Sequence, residues 1–165
     1  MPSIDAALTH AAAAASILAA QELPAEPARR LAVLTCMDAR LDVPRMLGLS
    51  PGDAHILRNA GGIVTDDVLR SLVLSQWELG TREIMVIQHT RCGVLNLDED
   101  RVKARVEAEM GTRPSFALGG FTDLEASVRA SLRRLGESPL LAPGRSARGF
   151  VYDVATGRLS EVRDR

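Results

Sequence analysis

Two short stretches of the chain, Cys36-Met37-Asp38-Ala39-Arg40 and His89-Thr90-Arg91-Cys92, place thiol, imidazole, carboxylate and guanidinium groups at close spacing. Thiolate and imidazole are favoured ligands of Zn²⁺, and a site with three protein ligands leaves the fourth tetrahedral position to a water that the ion acidifies. Cys36, His89 and Cys92 make such a set. They use both cysteines of the 165-residue chain. A disulfide between the two is the competing use, but the neighbouring Asp, Arg and His favour metal or catalytic chemistry over a staple.

For these halves to act together, the elements that carry them must converge. Leu31–Cys36, Ala54–Asn59 and Glu83–Gln88 are short aliphatic or β-branched runs of strand length. Between the last two lies a helix. Thr65 caps it, Asp66 and Asp67 suit the positive end of its dipole, Leu69, Leu72, Val73 and Trp77 form an apolar stripe, and Gly80 ends it. Strand, helix and strand in that order imply parallel pairing, and near-continuous apolar strands imply a sheet covered on both faces. The expected fold class is therefore α/β, with a mainly parallel central sheet flanked by helices. Helices are also expected at about residues 4–22, 101–110 and 122–135, with a Gly- and Pro-containing mobile loop over 111–120. The alternation of Gly149–Val154 and Arg158–Val162 around Ala155-Thr156-Gly157 adds a C-terminal antiparallel hairpin or edge strand.

In open parallel sheets ligands gather outside the carboxyl ends of the strands. Cys36 ends the first strand and His89 follows the third, so the two chemical stretches meet there. If residues 36–40 stay extended, Cys36, Asp38 and Arg40 share one side at steps of about 6.6 Å. His89 and Cys92, three apart around a turn, can chelate one ion from neighbouring backbone positions.

Composition limits the alternatives. With 46% hydrophobic and 25% charged residues the chain reads as one globular unit, residues 1–165. A formal net charge of −1 offers no electrostatic case for nucleic acid or an anionic membrane surface. The apolar run Ala11–Ala20 has no preceding Lys or Arg, follows Asp5, and is too short and alanine-rich for a span, so a cytoplasmic chain is expected. It reads instead as the core of a first helix, capped by Ser3 or Asp5 and ended before Pro24. His10 and His55 lack partners in the sequence; a structural or surface role outweighs proton relay by His55.

Cys36-x-Asp38-x-Arg40, Arg58-Asn59-Ala60-Gly61-Gly62 and His89-x-x-Cys92-Gly93 together resemble the signature of the β-class carbonic anhydrases, in particular the short bacterial members. The resemblance covers residues 30–95. It implies a zinc ion held by Cys36, His89 and Cys92, whose hydroxide attacks CO₂ to give bicarbonate. It further implies that Asp38, kept ionised by Arg40, accepts the hydroxide's hydrogen bond, and that Asn59, Ala60, Gly61 and Gly62 line the substrate cleft. In some relatives the equivalent of Asp38 becomes a fourth zinc ligand and shuts the site. Relatives on this scaffold also hydrolyse carbonyl sulfide or carbon disulfide, the alternative reading, and a non-catalytic zinc protein is a third. The family implies a homodimer or a dimer of dimers, with residues 1–25 as a helical arm. Arg91 departs from the small, polar or acidic residues common between the His and Cys, and its side chain is expected to face solvent.

Overall fold

The computed structural model describes residues 2–19 and 22–163. Helix α1, Ser3–Ala19, comes first, followed by strand β1, Leu31–Cys36, and a short helix α2, Val43–Leu47. Strand β2, Ala54–Asn59, leads through a 3₁₀ turn, Ala60–Gly62, into helix α3, Asp66–Trp77, and strand β3, Glu83–His89. Helices α4, Glu99–Met110, and α5, Leu124–Glu137, precede strands β4, Ser146–Tyr152, and β5, Leu159–Val162.

The strands form one sheet in the order β2-β1-β3-β4-β5, parallel except for the β4–β5 pair. The α/β expectation holds, with the antiparallel hairpin at its C-terminal edge. Alternate residues of β1 and β3 enter opposite cores. Ala32, Leu34, Ile84 and Val86 pack with Val68 and Leu72 of α3 and Leu135 of α5, while Val33 and Ile87 meet Val43 and Phe150 on the other face. Burial on both sides is why these strands read as unbroken apolar runs. Gly149 lets α5 lie close to β4, because a Cβ there would stand 2.3 Å from Val128 Cγ1.

Several expectations need correction. Helix α1 begins at Ser3 rather than being capped by it, and Glu22, placed in the helix from sequence, is not helical; residues 20 and 21 lie outside the described residues. Ile4 and Leu8 of α1 are exposed. Helix α2 was not foreseen. At five residues it is too short for a periodic signal, yet its Asp42 cap, Pro44 and left-handed Gly48 are all start and stop residues. Strand β4 begins at Ser146, three residues before the expected Gly149, and β4 lies inside the sheet because it also pairs with β3. Trp77 leaves the apolar stripe of α3, stays 60% exposed and donates from Nε1 to the Leu140 carbonyl. The stretch 111–120, expected to be mobile, is tethered. Glu99 accepts the N–H groups of Leu118 and Gly120, and Arg113 pairs with Asp100 and Glu107.

Candidate metal centre

The carboxyl ends of β1 and β3 lie side by side, so Cys36 and His89 end adjacent strands. The turn after β3 then brings back Cys92. Sγ of Cys36, a ring nitrogen of His89 and Sγ of Cys92 all lie within 4.8 Å of one another, and the two sulfurs are 3.8 Å apart. All three side chains are buried, and both cysteines are free thiols.

Two local features tune the donors. Nδ1 of His89 lies 2.9 Å from the Thr90 carbonyl, an oxygen that can only accept, so Nδ1 carries the proton and Nε2 bears the lone pair. That Nε2 is fully buried and has no hydrogen-bond partner among the described residues. A buried nitrogen without a partner is costly unless something binds it. With two thiols beside it, this donor set fits a zinc ion held by three protein ligands. The Cys92 thiol is pushed up, first by burial and also by the neighbouring Cys36. At Cys36 the backbone N–H of Gly61 donates to Sγ over 3.3 Å.

Asp38 and Arg40 do not continue the strand. Leu41 N–H closes a turn on the Asp38 carbonyl at 3.1 Å, which folds Arg40 back onto Asp38 instead of aligning the two along one extended face. Arg40 donates from its backbone N and Nε to Oδ1, at 3.0 and 2.9 Å, and from Nη2 to Oδ2 at 2.7 Å. These bonds, led by the guanidinium, hold the Asp38 carboxyl well below the usual carboxylate range. Oδ2 lies 3.8 Å from Nε2 of His89, so the carboxylate reaches the donor cluster while committed to Arg40. Arg40 Nη2 also donates to the Arg91 carbonyl at 2.9 Å, which ties the two chemical stretches together. Arg91 has φ of 56°, a left-handed conformation, and it acts here through that carbonyl; its side chain is exposed.

A cleft of about 270 Å³ opens onto this group, lined by both cysteines and Asp38 and by the apolar atoms of Met37, Ala60, Gly61 and Val94. Ala60 and Gly61 therefore line it. Asn59 instead staples its own turn, with Nδ2 donating to the Ile63 carbonyl and Oδ1 accepting from Ile63 N–H. Gly62 is packed beneath the site. At φ of 62°, a Cβ would fall 2.8 Å from Cys36 N and from the Thr35 carbonyl carbon. Those are backbone atoms that cannot rotate away. Gly62→Ala is accordingly expected to destabilise the fold by about 3 kcal/mol and to disturb the β1 terminus; chemical denaturation of the two proteins would measure it, and an unchanged midpoint would refute the tight fit.

Met37, Val94 and Phe121 escaped the sequence reading. Val94 follows the Cys92-Gly93 pair and could have been suspected from that position, whereas Phe121 reaches the packing around the cysteines through its bridge to Leu95 and left no local signal. His55 takes no part in the cluster; Nδ1 pairs with Ser75 Oγ at 2.8 Å, and Nε2 lies 3.4 Å from the Ala25 carbonyl. His10 is exposed on α1.

The sequence profile of the carbonic anhydrase family matches residues 31–115. Beta-carbonic anhydrase 1 of Mycobacterium tuberculosis is 51% identical over 140 residues, covering 85% of this chain and 86% of that protein. A carbon disulfide hydrolase of an Acidianus species is also 51% identical, over 156 residues, covering 79% of this chain and 76% of its own length. The crystal structure of a carbonic anhydrase from Streptococcus mutans superposes with a TM-score of 0.92 at 42% identity and covers 99% of each chain. The three-donor cluster at the ends of β1 and β3, the profile over both chemical stretches and the full-length structural match agree: the chain belongs to the β-carbonic anhydrase family.

Proposed function

We propose that the protein hydrates carbon dioxide reversibly to bicarbonate and a proton, with one Zn²⁺ per chain held by Cys36, His89 and Cys92. The observation that carries this reading is the buried, unpartnered Nε2 of His89 beside two free thiols at the end of an apolar cleft. When bound, zinc supplies the Lewis acidity that lets a water lose its proton near neutral pH and attack the substrate carbon. Asp38 is the catalytic residue of the chain. Held ionised, it accepts a hydrogen bond from the attacking water and turns the oxygen lone pair towards the cleft. Arg40 positions that carboxylate and keeps it from drifting, an arrangement that supports the open form of the site. Met37, Ala60, Gly61 and Val94 offer apolar contact to a small uncharged substrate, while Asn59 and Gly62 shape the turn that presents them.

The Acidianus relative supports a second reading, hydrolysis of carbon disulfide or carbonyl sulfide by the same attack on a linear cumulated carbon. Zinc analysis, stopped-flow CO₂ hydration and sulfide release from carbon disulfide separate the two. Expected are one zinc per chain, a hydration rate far above buffer and no enzymic sulfide. Stoichiometric zinc with no hydration above buffer would sink the first reading, and sulfide release in its place would establish the second.

We further read residues 1–165 as one catalytic unit that works as a homodimer in the cytoplasm. The exposed apolar residues of α1 support the dimer, since a helix with Ile4 and Leu8 in water gains by packing on a second copy. Two buried free thiols suit a reducing compartment, and no described helix is long and apolar enough to cross a membrane. Removal of residues 1–25 should lower the mass in solution towards a monomer; an unchanged dimer by light scattering would refute the arm.

A further inference from the structure

Cys36, which carries a metal-site thiol, is the last residue of β1 and pairs with Asn59, whereas Met37–Arg40, which carries the Asp38 carboxylate, lies beyond the strand ladder. Its backbone tethers are the Met37 N–H bond to the Asn59 carbonyl at 2.8 Å and the Leu41 N–H bond to the Asp38 carbonyl. A third hold comes from across the sheet. Arg58 of β2, opposite Thr35 in the register, donates from Nε to the Cys36 carbonyl at 3.0 Å and from Nη2 to the Asp38 carbonyl at 2.6 Å. With Leu41 N–H on the same oxygen, the Asp38 carbonyl receives two donors.

We infer that Arg58 is a positioning residue for the reaction, a guanidinium clamp that fixes the Cys36–Asp38 backbone so that the Asp38 carboxylate meets Arg40 and the donor cluster at one geometry. The inference rests on the proposed activity, and nothing in it requires Arg58 to touch substrate. Only a rigid fork can do this. Two diverging N–H groups reach carbonyls two residues apart, whereas a lysine ammonium is a single point that engages one of them well. A residual wobble of the carboxylate is costly because catalysis depends on alignment to within a fraction of an ångström.

The test compares the zinc-loaded enzyme with its Arg58→Ala and Arg58→Lys variants. Arg58→Ala should lower kcat for CO₂ hydration about tenfold and leave KM within about twofold, because the cleft walls are untouched. Loss of zinc to a competing chelator should quicken a few-fold, since the Cys36 carbonyl is also released. Free guanidinium at concentrations well below denaturing should restore part of the rate of Arg58→Ala and none to the unmodified enzyme, and Arg58→Lys should fall between. A kcat within twofold of the parent, or a loss that neither guanidinium nor lysine relieves, would overturn the clamp. If the parent itself shows no hydration while holding zinc, the proposed activity fails instead, and chelator competition with guanidinium rescue still reports on the clamp.

Discussion

Cys92→Ser is expected to lose zinc and, with it, all CO₂ hydration above the buffer rate, while the far-ultraviolet circular dichroism stays that of the parent. The exchange is close to isosteric, so the buried site keeps its packing and the outcome reports on ligand chemistry. A serine hydroxyl does not ionise near neutral pH, and the substitution removes a negative charge and a soft donor together. Loss of a partner that merely orients a ligand costs about 10–100-fold in metal affinity, so loss of the ligand should cost more. Metal content by mass spectrometry after exhaustive dialysis would show well under one zinc per chain. Full retention of zinc by Cys92→Ser, with parental activity, would mean that the metal is held elsewhere. The sign of the pH effect follows from the thiols: burial raises the Cys92 pKa, zinc must displace its proton, and zinc affinity should therefore fall as pH is lowered.

The ease with which this site is read from sequence has a physical basis. β1 and β2 fall on the expected residues and β3 ends one residue later, at His89; β1 and β3 are legible because strands buried on both faces carry their apolar character in nearly every position. A parallel sheet aligns its strand ends, so a cysteine ending β1 and a histidine ending β3 had to approach each other. Elements set by partners rather than by their own pattern were harder. Ser146-Ala147-Arg148 has no strand signature and becomes β4 by pairing with Glu83–Met85 of β3. Trp77 falls on the helical stripe of α3, yet its indole N–H finds the Leu140 carbonyl at the surface.

Within the site the same division appears. Side chains whose chemistry resides in their own atoms, the two thiols and the imidazole, were legible from type and spacing. The fold-back of Arg40 was not, because it depends on the turn closed by Leu41 N–H and on the Arg91 carbonyl. The family resemblance implied a cleft wall at Gly62, but its need for a missing Cβ comes from the backbone of Thr35 and Cys36 lying against it. Arg58 clamps backbone carbonyls, groups that every residue has and that no sequence pattern singles out.

Asp38→Asn isolates what the carboxylate contributes, because it keeps size and shape while removing the charge and one acceptor. The amide oxygen can still take the Arg40 bonds now made to Oδ1. Its NH₂ would then stand where Oδ2 is, 3.8 Å from His89 Nε2, and would donate where the attacking water needs an acceptor. The expected result is a kcat lower by roughly 10²–10³ with one zinc per chain retained. A fall of less than about threefold would show that Asp38 is only a partner for Arg40. The pH behaviour separates this role from titration of the carboxylate. The bond to Arg40 depresses the folded pKa of Asp38, so the group stays ionised throughout the working range and should put no inflection into the rate profile near neutrality. Its contribution to stability is present above the unfolded value of about 3.9 and is lost only as pH falls through the lower folded value. Parent and Asp38→Asn should therefore differ in thermal midpoint at pH 7 and converge in strong acid. A gap that closes already between pH 5 and 7 would mean that Asp38 is not held ionised by Arg40.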